Sequence, residues 1–339
     1  MIAFVTVSNA LLSAILDGAP LPETEKWRLA AEVGLAPEVV RDVNGRTSII
    51  VLSRLWSRIL DLTGDPFVGL HIGRAVPGER FGLAVHAAQN KDTLREGLVD
   101  IARYAGLINA MITCSVHESP DEARFAMKFH WDVFDLERHA VDITFAGLAK
   151  WGRERICERF AVREVRLRHK RTEARERYEA AFGAPVTFAA ATNEVVFDPA
   201  LLDQRIQGTN NELGRLLDGY AQAELVKIPA LASLPSRVSQ LVLRDLAAGT
   251  RPDLAAICDE VKMTPRQLQR KLGESSTSFS ALLDEARKSL APRWLDDPVT
   301  NVEQVGFRLG YAEPTAFIRA FKKWYGMTPG QYRKTRQLP

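Results

Sequence analysis

Two short helix pairs near the C-terminal end, written one after the other on the same plan, limit what this chain can fold into more than any other feature. The first runs over 254–272 (LAAICDEVKMTPRQLQRKL) and the second over 302–321 (VEQVGFRLGYAEPTAFIRAF). Leu254, Ile257 and Val261 fall on one helical face, and Leu268 and Leu272 resume the stripe beyond a turn at Met263. Val302, Val305 and Leu309 repeat it; Tyr311 takes the turn, and Phe317, Phe321 and Trp324 carry the apolar face onward. Ile257 and Val305 lie 48 residues apart while Leu268 and Phe317 lie 49 apart, so the second copy has one extra residue in its turn.

The helix starts are spelled out. Thr264-Pro265-Arg266-Gln267 is a capping box: the Thr hydroxyl accepts an orphan N–H, Pro takes the first helical position and Gln reaches back. Thr300-Asn301-Val302-Glu303 is read as its Thr-to-acid form, and Thr328-Pro329-Gly330-Gln331 as its Thr-Pro-Gln form, while Pro314 opens the helix holding Phe317 and Arg319. Between the pairs, 279–295 reads as a connecting helix whose length is about 25 Å. With a helix width at either end, the two second helices come near the roughly 34 Å between successive major grooves on one face of DNA.

Charge is divided along the chain. Residues 231–339 carry 17 Lys and Arg against 11 Asp and Glu, whereas the remainder carries 28 against 31. The overall +3 therefore hides a basic C-terminal part, the local balance that phosphate binding requires. A helical bundle with solvated basic residues is the plainer alternative, but here the basic residues gather on the second helix of each pair.

These residues resemble the AraC/XylS family of bacterial transcription regulators over 236–333, through MTPRQLQRKL, FSALLDEARKSLA and VGFRLGYAEPTAFIRAFKKWYGMTPGQYR. The resemblance implies an all-α DNA-binding domain with two helix-turn-helix motifs joined by a long helix, the second helix of each motif entering a major groove. It places Arg266, Gln269 and Arg270 at the first groove and Pro314, Thr315, Ile318 and Arg319 at the second, with Lys322 and Lys323 on phosphates. Three positions depart from the family pattern. Lys262 stands where a turn glycine is usual, Gly306 replaces an alanine, and Pro292 inside the connecting helix is expected to kink or break it.

At 339 residues and 46% hydrophobic, the chain can bury two ordinary cores. No apolar run reaches the length of a membrane span, the first residues lack a basic signal-peptide start, and Cys114, Cys157 and Cys258 are widely spaced, which fits a reducing cytoplasm. The first two hundred residues read as α+β. Helices are expected at 4–16, 23–33, 49–62, 93–110, 140–158 and 171–181. A modest, mainly antiparallel sheet is expected from 112–117, 124–131, 162–168, 185–188 and 194–197. A linking helix at 210–227 and a proline-bounded break at 229–235 follow, dividing the chain into 1–206, a 207–235 linker and 236–339.

LTGDPFVGLHIG, FGLAVHAAQNKDTLREGLVDIARY and YEAAFGAPVTFAAATNEVVFDPALLD resemble the N-terminal domain of an AraC-type subgroup that includes regulators of the ornithine and virulence type. That resemblance implies a sensing or dimerisation domain. His86, Arg103, Tyr104 and Trp131 combine polar groups with aromatic surface and are the effector-pocket candidates, although packing is the commoner role for each. Cys157 beside Arg153, Arg155 and Arg159 suits a redox thiol less well than a packed one. The arginine-rich 162–179 carries interleaved acids and reads as a solvated face.

No P-loop, nucleophile elbow, paired-cysteine zinc pattern or metal-ligand histidine spacing is present, so neither an enzyme nor a cofactor or metal is expected. The reading is a cytoplasmic transcription regulator, an activator by family habit, with double-stranded DNA, RNA polymerase and a small-molecule effector as partners and a homodimer as the assembly. The alternative is a constitutive regulator whose N-terminal domain only dimerises.

Overall fold

The computed structural model describes residues 6–130, 136–158, 160–170, 174–228, 233–297 and 299–336. They divide into two compact units after Ile228.

The first unit opens with β1 (Thr6–Ser8), α1 (Asn9–Gly18), α2 (Glu23–Val33), α3 (Pro37–Arg41), β2 (Arg46–Ser48), α4 (Ile49–Thr63) and α5 (Val68–Ala75). A 3-10 turn at Gly78–Phe81, then α6 (Leu83–Gln89) and α7 (Leu94–Ile108), lead to a hairpin of β3 (Ile112–Glu118) and β4 (Ala123–Phe129). The unit finishes with α8 (Glu137–Arg155), β5 (Val162–Arg166), α9 (Arg175–Phe182), β6 (Val186–Thr187), β7 (Asn193–Phe197) and α10 (Asn211–Lys227).

Five strands make one sheet in the order β3, β4, β7, β5, β6, antiparallel except for the β5/β6 pair. In β4 the expected alternation holds: Phe125, Met127 and Phe129 are buried while Lys128 is exposed. Central β7 is buried along its whole length, and its Glu194 carboxylate lies 3.6 Å from Arg124 and 3.3 Å from Arg166. Those two guanidinium groups offset the cost of taking a carboxylate out of water. Other described arginines of this stretch behave alike: Arg163 pairs with Asp198, Arg168 with Glu137 and Arg177 with Asp65.

Where an opening helix is expected from Phe4, the structure starts with β1, paired to β2 through Val7 and Thr47. Helix α1 begins only at Asn9 because the Ser8 hydroxyl accepts from the Leu11 N–H at 3.1 Å and fixes the start there. Helices α3, α5 and α6 are additional to the expected ones. In α5 the glycines that weaken local propensity have a packing reason, since a Cβ on Gly73 would come within 2.4 Å of the Ile143 carbonyl oxygen of α8. Strand β4 ends at Phe129, and β6 pairs in parallel with β5. Helix α10 packs on α6 and α7: a Cβ on Gly214 would meet the Asn90 carbonyl at 2.4 Å.

The second unit is helical: α11 (Leu234–Ala247), α12 (Leu254–Glu260), α13 (Pro265–Glu274), α14 (Phe279–Leu295), α15 (Val302–Arg308), α16 (Pro314–Tyr325) and α17 (Pro329–Arg336). Ile257, Leu268 and Leu272 from the first pair and Val305, Leu309, Phe317 and Phe321 from the second are fully buried. The connecting helix α14 is not broken at Pro292 but runs through it. Proline removes the N–H that would reach the Lys288 carbonyl. The Tyr325 hydroxyl donates to that same oxygen at 2.6 Å, so the orphaned acceptor is satisfied from α16.

Candidate functional site

Helices α13 and α16 each bury one face and offer the other to solvent. On α13, Arg266, Gln269 and Arg270 are exposed opposite Leu268 and Leu272, and Arg270 Nη1 lies 3.1 Å from Glu274 Oε1. On α16, Thr315, Arg319, Lys322 and Lys323 are exposed, while Pro314 and Ile318 are half-buried. The structure thus gathers the nine sequence-selected residues on the two second helices, on the sides not used for the core.

Local sequence sets these helices in place. The Thr264 hydroxyl accepts from the Gln267 N–H at 3.3 Å, and Gln267 Oε1 accepts from the Thr264 N–H at 2.9 Å, the reciprocal box read from the sequence. Thr328 and Gln331 repeat it at the start of α17. At α15 the cap sits one residue later than expected: Asn301 boxes with Gln304, both bonds 2.8 Å, and the Thr300 hydroxyl donates to Asp297 instead. An amide caps better than a threonine hydroxyl, and Gln304 stands at the required third position.

Turn backbones match across the copies, with Lys262 at φ 54° and Gly310 at φ 75°. In the second, Arg287 donates to the Leu309 and Gly310 carbonyls at 2.8 and 3.0 Å and stacks over Tyr311, whose hydroxyl burial pushes up to about 12. Gly306 permits the approach of α15 to α16, since a Cβ there would sit 3.2 Å from Phe317 Cβ.

The first unit holds a cavity of about 380 Å³, partly open to solvent, between α1, α4, α5, α6, α7, α8 and the β3/β4 face of the sheet. Its wall includes Ile15, Trp56, Ile101, Phe125, Met127 and Ile143. None of the sequence candidates in the described residues is part of this wall. His86 is half-buried, and its carbonyl accepts from the Asn90 amide. Tyr104 is fully buried, donating to Asp218 Oδ1 at 2.6 Å, and exposed Arg103 lies 3.8 Å from Asp100 and 4.0 Å from Asp218. Together with Lys91, 2.9 Å from Asp100, they form a polar tie between α7 and α10. Trp131 lies outside the described residues.

A search for polar side chains passes over these cavity residues, because most of them are apolar. The signal was the alternation of β4, whose Phe125 and Met127 face the cavity beside the apolar stripe of α7. Cys157 is half-buried, and the neighbouring Arg153 and Arg155 donate to the Phe182 and Gln207 carbonyls. Among the described residues no helix is long and apolar enough to cross a membrane, and no His, Cys, Asp or Glu cluster is arranged to hold a metal.

Residues 27–206 match the arabinose-binding domain of AraC transcription regulator, N-terminal, and residues 257–335 match a helix-turn-helix domain. The chain belongs to the AraC-type family of DNA-binding transcription regulators. It is similar to the HTH-type transcriptional regulator VirS of Mycobacterium tuberculosis, with 29% identity over 79% of this chain and 78% of VirS. It also resembles an uncharacterised HTH-type transcriptional regulator of the same organism, 27% identical over 86% and 85% of the two chains. The ornithine utilization regulator of Pseudomonas aeruginosa is 22% identical over 97% and 96%. These family members are regulators rather than enzymes.

Proposed function

We propose that the chain activates transcription by presenting α13 and α16 to successive major grooves of double-stranded DNA, under control of a small molecule held by the first unit. One observation carries the reading: Arg266, Gln269 and Arg270 on α13, and Thr315 and Arg319 on α16, are exposed while the opposite faces of both helices are fully buried. Arg and Gln pair with guanine and adenine edges, and Lys322 and Lys323 meet phosphates beside them. Half-buried Pro314 and Ile318 supply apolar contact at the second groove. Family habit supports activation, which makes RNA polymerase the protein partner, and free Cys114, Cys157 and Cys258 fit the cytoplasm.

The test uses the full chain in fluorescence anisotropy on DNA selected from a random pool and on scrambled DNA. Arg319→Ala is expected to lose about 1–3 kcal/mol on selected DNA alone, whereas Lys322→Ala weakens both DNAs alike and lowers the salt dependence. Equal loss on both DNAs for Arg319→Ala would sink the base-reading role.

A second reading, in which the first unit only holds two copies together, draws on Leu213, Leu216 and Tyr220, an exposed apolar stripe along α10. Under it Leu216→Glu converts a dimer to a monomer by light scattering, and DNA affinity falls through lost effective concentration.

A further inference from the structure

The cavity in the first unit has the size of a small-molecule site, within the usual range of about 300–1,000 Å³. Its lining is mainly apolar. Gln89, with its amide turned to satisfy both neighbours, donates to Glu79 Oε1 at 3.1 Å and accepts from Trp151 Nε1 at 3.0 Å. Asn109 Oδ1 accepts from the Met111 N–H at 2.9 Å, and Arg155 donates to the Gln207 and Gly208 carbonyls. Lys150 lies 3.7 Å from Glu154. The wall's polar side chains are thus largely engaged with the protein, leaving the Thr144 hydroxyl on α8 as a group to meet a ligand.

Cys114 supports the same picture. It lies directly opposite Met127 on the sheet face that forms the wall, and burial pushes its thiol up to about 12.

A sugar needs the opposite kind of site. Every hydroxyl both donates and accepts, and each one desolvated without a partner costs free energy. Resting on the reading that the first unit holds an effector, we infer that the effector is an uncharged, mainly apolar small molecule with at most one hydrogen-bonding group. Arabinose and similar polyols do not occupy the cavity, despite the name carried by the domain family.

The full-length chain is titrated with N-phenyl-1-naphthylamine, a neutral apolar dye that brightens when desolvated. The expected result is saturable binding of one dye per chain, displaced by decan-1-ol and untouched by L-arabinose. Thr144→Phe and Ile101→Trp each place a larger side chain in the cavity. Each should weaken dye binding about tenfold or more while keeping the parent circular dichroism spectrum. Displacement by L-arabinose, absence of saturable binding, or unchanged dye affinity in both well-folded variants overturns the inference. DNA anisotropy measured alongside separates this from the broader reading. Dye binding that leaves DNA affinity unchanged supports the ligand class while removing effector control; DNA affinity that answers to L-arabinose overturns the ligand class while keeping control.

Discussion

The two helix pairs of the second unit reach one frame by different means. At matching places the first pair has Cys258 and Leu268, the second Gly306 and Phe317, all four buried. A small residue opposite a large one replaces two of middling size, the volume-conserving exchange that close-packed interiors tolerate. The turns differ as well. Gly310 takes its left-handed backbone without steric cost and Arg287 covers its carbonyl, whereas Lys262 holds the same conformation with a Cβ in place. The start of α16, at Glu313, has no side-chain cap, while α13 has a complete box. Duplicated architecture therefore fixes where the buried side chains point and leaves the local devices free to vary.

The largest effect expected from this comparison is in the core. Phe317→Ala should cost about 3–5 kcal/mol and Leu268→Ala about 2–5, the first toward the top of its range because Gly306 has no side chain to collapse into the space. Amide hydrogen exchange of α12–α17 reads both in the full chain. A smaller loss for Phe317→Ala than for Leu268→Ala would break the idea that the Gly–Phe pairing is the tighter one.

Next in size is the link between α14 and α16. Tyr325→Phe removes the hydroxyl that serves the Lys288 carbonyl and should cost about 1 kcal/mol. With Pro292→Ala supplying the missing N–H, the same substitution should cost close to nothing, a coupling that a double-mutant cycle measures. Additive effects would show that the hydroxyl and the proline are unrelated.

The smallest is at the turn. Lys262→Gly is expected to stabilise the first pair by about 0.5–1 kcal/mol, relief of left-handed strain being partly offset by the greater freedom of glycine in the unfolded chain. Thermal unfolding monitored on the α12 and α13 amides checks it, and destabilisation would mean that the lysine side chain holds contacts worth more than the strain.

The second unit was legible because its information is local. Helical spacing, Thr-Pro-Gln starts and the Pro314 entry name both the helices and their exposed faces. What the sequence concealed there were long-range remedies: nothing near Pro292 announces that Tyr325 will serve its orphaned carbonyl. In the first unit β4 was legible from its alternation and β3, β5 and β7 from their β-branched and aromatic runs, but α5 and α6 were not, since Gly69 and Gly73 weaken α5 locally and LAVHAAQ, though made of good helix formers, is only seven residues long and sits behind Gly82. The cavity was hidden for a related reason. Its wall comes from six helices and two strands, and residues such as Ile101 and Met127 look individually like core. The polarity of Arg103 and Tyr104 is used to tie α7 to α10, and His86 lies on α6 outside the cavity wall.

The bond from Tyr325 to Lys288 has a consequence for the order in which the second unit folds. The acceptor and donor are 37 residues apart, and the donor sits on the last turn of α16. The hydrogen-bond ladder of α14 is therefore completed only when the second pair has formed and docked. A nascent chain that has emerged only as far as α15 holds a connecting helix with one carbonyl still seeking a partner. The pairs look like two modules in sequence, but maturation makes them one cooperative unit, with its final rung placed by the helix that arrives late.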